Sequence, residues 1–82
     1  MNISGIVVHA SPDKTDKVRV RLEKMDGVEI HAIGADGKMV VTIERSDDRE
    51  TTEVFDKIAK TSGVLSTAMV YHHFEPDNAE AA

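Results

Sequence analysis

The chain contains no cysteine. Disulfides and thiolate metal sites are thereby excluded, and because a secreted domain of this size ordinarily needs such staples, the expected compartment is a reducing cytoplasm. Tryptophan is also absent, and Phe55, Phe74 and Tyr71 are the only aromatic residues, so Val, Ile, Leu and Met have to build the interior. Proline and glycine are scarce, with two and five residues, and no linker or low-complexity stretch interrupts the chain. No hydrophobic run is long enough to span a membrane. The first, Ile3 to Ala10, is short and interrupted and lacks a basic segment before it, so neither a signal peptide nor an anchor is expected. Positive charge is in deficit, ten basic residues against fifteen acidic. The resulting net charge of −5 opposes the phosphate attraction that dominates nucleic-acid binding and favours a cationic partner.

What is present reads as a single core, since 82 residues divided between two cores would leave neither enough buried surface to offset chain entropy. Ile3 to Ala10 is a β-branched run that ends at Ser11-Pro12, where serine is a helix-capping residue and proline suits the first helical position. From Asp13 to Met25, Val18, Leu22 and Met25 recur at helical spacing among basic and acidic residues, with Val20 on the outer side. Asp26-Gly27 ends this helix. Val28 to Ile33 and Lys38 to Glu44 read as strands joined by the turn Gly34-Ala35-Asp36-Gly37. Asp47 and Glu50 have the spacing of a capping box for a helix whose inner face is Thr51, Val54, Phe55 and Ile58 and which stops near Ser62-Gly63. Val64 to Phe74 is the fourth strand, and residues 75–82 are expected to be a mobile acidic tail on a domain spanning residues 1–74.

The order βαββαβ divides into two βαβ-like halves, and right-handed crossovers interleave them into a ferredoxin-like α+β fold, a four-stranded antiparallel sheet with both helices on one face. The other face is left open. Strand parity then places Ile6, Val8, Met39, Val41 and Ile43 toward the helices. It places Gly5, Val7, His9, Val40, Thr42, Glu44, Thr67, Met69 and Tyr71 on the open side. β-Branched residues favour strands wherever they point, but a solvated sheet face usually alternates toward polar residues. Val7, Val40, Met69 and Tyr71 therefore mark a docking platform, with the flexible thioether and the amphipathic ring able to adapt to a helical ligand.

The same residues offer no chemistry for catalysis. His72 and His73 are adjacent in a strand and point to opposite faces, and His9 and His31 bear no metal-ligand spacing to them, so no metal is expected. The serines fall at caps, turns and strand positions without a base and an orienting group, and Gly34 to Gly37 lacks the spacing and following helix of a phosphate loop. The basic residues of the first helix alternate with Asp13, Asp16 and Glu23 as on a solvated face. No cofactor is expected, and the domain reads as a non-enzymatic binding module.

Ser4-Gly5-Ile6-Val7-Val8-His9-Ala10, Asp36-Gly37-Lys38-Met39-Val40-Val41-Thr42-Ile43-Glu44 and, above all, Gly63-Val64-Leu65-Ser66-Thr67-Ala68-Met69-Val70-Tyr71-His72 are three stretches that together resemble the NapD family, the small cytoplasmic chaperones of periplasmic nitrate reductase. The resemblance spans Ile3 to Phe74. It implies a ferredoxin-like fold and binding of the twin-arginine signal peptide of the catalytic nitrate reductase subunit, with export held back until the molybdenum cofactor is installed. Val7, His9, Val40, Thr42, Glu44, Met69 and Tyr71 are then the expected signal-peptide-binding residues, and Glu44 and Glu29, which share the open-face parity, are candidates to meet the arginines. A small-molecule regulatory domain of the same fold is the principal alternative. An RNA-binding domain would need stacking aromatics where Val7 and Val40 stand, and an acylphosphatase-like enzyme a phosphate-cradling loop that His9-Ala10-Ser11-Pro12 does not form. A monomer or a weak homo-oligomer is expected.

Overall fold

The computed structural model describes residues 2–74, the side chains of the last three excepted; the expected tail at 75–82 lies outside the described residues. Four strands and two helices follow in the order β1 (Asn2–Ala10), a 3-10 turn (Pro12–Lys14), α1 (Thr15–Glu23), β2 (Val28–Ile33), β3 (Lys38–Arg45), α2 (Asp48–Ala59) and β4 (Val64–Phe74). The sheet is antiparallel throughout in the order β2-β3-β1-β4, the interleaved ferredoxin-like arrangement. Both helices lie on one face, where Val18 and Leu22 of α1 and Val54 and Ile58 of α2 join Ile6, Val8, Met39, Val41 and Ile43 in one aliphatic core. Val20 lies outside it, on the exposed side of α1. Among the described residues, no helix is long and apolar enough to cross a membrane.

The start of the first helix differs from the expectation. Ser11 makes no side-chain cap. Its hydroxyl instead bonds the Asp13 carboxylate, which holds that carboxyl below the usual carboxylate range. Its carbonyl accepts from Lys14 N at 2.8 Å, which makes the first turn 3-10 in type and delays α1 to Thr15. At the other end, Lys24 N and Met25 N reach back to the carbonyls of Arg21 and Leu22, so the last turn tightens and Met25 packs on the core from beyond the helix. Gly27 then takes the positive φ of +83° that reverses the chain.

The second helix is capped as its sequence implies, Asp47 Oδ1 accepting from Glu50 N at 2.8 Å. The reciprocal half of the capping box is absent, because the Glu50 carboxylate pairs with Arg45 at 3.0 Å. Thr51, Val54 and Ile58 are buried, and Phe55 is half-buried at the margin of the core.

Three β-bulges modify the strict two-residue alternation. In β2 the pairing passes from Ile30 to Ala32 and leaves His31 as the extra residue. In β4 it passes over Leu65 and over Val70. The second of these resets parity along most of the strand. Thr67 and Met69 pair with Val8 and Ile6 and so share their side of the sheet, the helix side, whereas Ala68 pairs with Val7 and Tyr71 with Gly5 on the open side. The expectation that Thr67, Met69 and Tyr71 share the open face is therefore correct for Tyr71 alone. The extra residue at Val70 is the reason.

Candidate functional site

The open face is assembled row by row from the central pair β1 and β3. Ile3, Gly5, Val7 and His9 stand opposite Glu44, Thr42, Val40 and Lys38, and all eight lie away from the helices because Ile6, Val8, Val41 and Ile43 between them are fully buried. β4 extends these rows with Tyr71, Ala68 and Ser66, and β2 with Glu29 and Ala32. Val7, His9, Val40, Thr42, Glu44 and Tyr71 are thus brought together as expected. Met69, 45 % exposed, borders the helix side of edge strand β4 instead.

The middle of this face is apolar. Val40, 46 % exposed, sits beside the half-buried Val7. Next to them lies Tyr71, 50 % exposed, with its ring directly over Gly5: a Cβ built on Gly5 would stand 2.0 Å from Cε1 and 2.5 Å from Cδ1 of the ring. The glycine leaves a notch in the central strand, and the ring fills it.

Toward β2 the face becomes polar. The His31 bulge turns its imidazole onto this side, with Nε2 2.7 Å from Thr42 Oγ1 and 3.5 Å from Glu29 Oε1. Beyond it opens a cleft of about 740 Å³ whose walls include Asp26, Glu29, Thr42, Glu44 and Arg45. Arg45 bonds Asp26 at 2.8 Å and Glu50 at 3.0 Å, tying the turn before β2 to the first turn of α2. The Asp26 hydrogen bond, then attraction to Glu50 and Asp26, raises the guanidinium above its ordinary value. One guanidinium charge is thus shared between two carboxylates, so the trio as a whole stays negative. Among the described residues, Glu29 is approached by His31 and no cation pairs with Glu44. The cleft end of the face is consequently negative, and its centre aliphatic and aromatic.

Sequence reasoning missed His31, Ile3 and Ala68 as members of this face, and missed the contact of Tyr71 with Gly5. A glycine inside a β-branched run was the available signal for the last of these, since such a position commonly marks close approach by another group. Among the described residues, no group of three His, Asp or Glu side chains converges as a metal site would require.

Comparison with known proteins adds a family. No curated protein sequence matches the chain. The solution structure of the E. coli Tat proofreading chaperone protein NapD superposes with a TM-score of 0.81 at 24 % identity, over 92 % of this chain and 80 % of that one. That likeness is one of fold, and it extends over the strands that carry the open face. A family model described as "NapD protein" matches residues 1–76. With nearly its whole length matched, this chain belongs to the NapD family.

Proposed function

We propose that the chain is a cytoplasmic assembly chaperone that binds the twin-arginine signal peptide of the catalytic subunit of periplasmic nitrate reductase and delays its export until cofactor insertion is complete. Membership of the NapD family and the fold shared with a Tat proofreading chaperone support this reading. The observation that carries it is the polarity of the open face, an apolar floor of Val7, Val40 and Tyr71 that runs into a cleft bearing Glu29 and Glu44. A twin-arginine signal peptide has the complementary order, a cationic pair followed by an apolar segment. An amphipathic helix laid across the sheet would set its apolar side on the floor and its arginines at the cleft. Thr42 and His9 flank the floor as polar contacts, and Met69, turned to the helix side, falls outside the set. The work is binding, without catalysis, metal or cofactor.

The test is a titration of isotopically labelled protein with the isolated signal peptide, followed residue by residue by NMR. Amide shifts should concentrate in β1, β3 and the Tyr71 end of β4, and a peptide with Lys-Lys in place of Arg-Arg should bind more weakly. Shifts confined to the outer faces of α1 and α2 would overturn the proposal.

A further inference from the structure

Gly5 lies in the middle of β1, a central strand of the sheet, where glycine weakens a strand relative to alanine. The backbone does not ask for it. Positive φ occurs among the described glycines only at Gly27, Gly37 and Gly63, so Gly5 has an ordinary strand conformation that any residue could adopt. What requires glycine is the ring above it: the three nearest atoms to a Cβ at this position all belong to Tyr71, at 2.0, 2.5 and 2.7 Å. A methyl group would collide with a movable side chain, and the ring would have to lift off the sheet.

We propose that Gly5 is a positioning residue of the binding face, its missing side chain seating the Tyr71 ring flat so that the ring and the Val7–Val40 pair form one level floor for the apolar side of a helical segment. With a side chain at position 5 the ring would rise as a ridge across the path of that helix. The consequence is a steric demand on the ligand, since only a segment that lies close to the sheet gains contact with ring and valines together. This inference rests on the open-face reading of the function and deepens it. Stacking of an aromatic ring on a strand glycine also stabilises a sheet, so the test separates placement of the ring from stability of the fold.

The experiment compares wild type, Gly5→Ala, Tyr71→Ala and the double variant, each verified as folded by far-UV circular dichroism, in calorimetric titration with the synthetic twin-arginine signal peptide. In the wild type the Gly5 α-protons should carry the upfield shift expected beneath an aromatic ring, and Tyr71→Ala should abolish it. Gly5→Ala should displace the Tyr71 ring resonances and weaken binding roughly tenfold, the loss typical of removing one good interface anchor. The double variant should bind no worse than Tyr71→Ala, because Gly5 acts only through the ring. Normal binding by folded Gly5→Ala, with Tyr71→Ala impaired, would overturn the positioning role and leave the open-face reading standing. Normal binding by Tyr71→Ala would instead remove the ring from the site and with it the open-face reading. Should Gly5→Ala not fold, the wild-type titration still decides. Gly5 α-proton and Tyr71 ring signals that stay fixed while the peptide saturates the protein would overturn the inference.

Discussion

Single residues in this chain owe their identity to different constraints, and glycine illustrates the contrast. Gly37 has a φ of +89°, and a Cβ there would stand 2.2 Å from the carbonyl oxygen of Ala10, a backbone atom that has no room to retreat. Gly37→Ala is expected to destabilise the fold by more than about 1 kcal/mol, visible as a lower denaturant midpoint with an unchanged slope. Its position in a turn made it legible from the sequence. Gly5 was not legible in the same way, because its reason is a ring sixty-six positions later that reaches it only through the β1–β4 pairing of Gly5 with Tyr71. Glu44 was legible by parity alone. Reversing its charge, Glu44→Lys, is expected to slow association with the twin-arginine peptide and flatten the dependence of binding on salt, with the fold intact, because the side chain is exposed and opposite the half-buried Ile3 at the end of the face. Stopped-flow association at two ionic strengths measures both effects.

At the scale of elements, every strand and both helices were foreseeable, since hydrophobic period, turn glycines and the Asp47 cap are local signals. Asp47→Ala is expected to cost about 0.5–2 kcal/mol, the usual range for an N-cap, as the Glu50 amide loses its acceptor. Ile58→Ala, in a fully buried position on the same helix, should cost about 2–5 kcal/mol through the cavity it leaves, and thermal unfolding should rank the two variants in that order. Bulges were beyond reach of the sequence. Nothing in Ala68-Met69-Val70-Tyr71 distinguishes an extra residue from a paired one, because a bulge is decided jointly by two strands whose alignment is set by the packing of the whole sheet. That single unreadable feature moved Met69 off the open face and left Tyr71 on it. The late start of α1 has a comparable origin, since Ser11 uses its hydroxyl on Asp13 and its carbonyl in a tighter turn.

At the scale of the whole molecule, the order of elements was enough to give the interleaved sheet, because few right-handed arrangements of βαββαβ exist. The location of an apolar floor followed from it; the acidic cleft at its end did not, since it depends on the turn before β2 and the end of β3 bringing Asp26, Glu29 and Glu44 around a single cation, Arg45, which Glu50 also shares. The interleaving also bears on time. β1 is made first yet occupies the middle of the sheet, between β3 and β4, and its far end is pinned from both sides, Ala10 N to Gly37 O at 2.8 Å and Ser11 N to Gly63 O at 2.9 Å. The segment therefore waits through synthesis of nearly the entire domain before its last neighbour exists, and the loop that joins β1 to β4 has to close across the longest separation in the fold. A fragment ending at Gly63 should consequently remain unstructured by circular dichroism and aggregate through the bare edge of β1, whereas addition of a peptide spanning 64–74 should restore the native spectrum. The binding face is then completed only when β4 pairs with β1, because Tyr71, Ala68 and Ser66 join its rows with that strand.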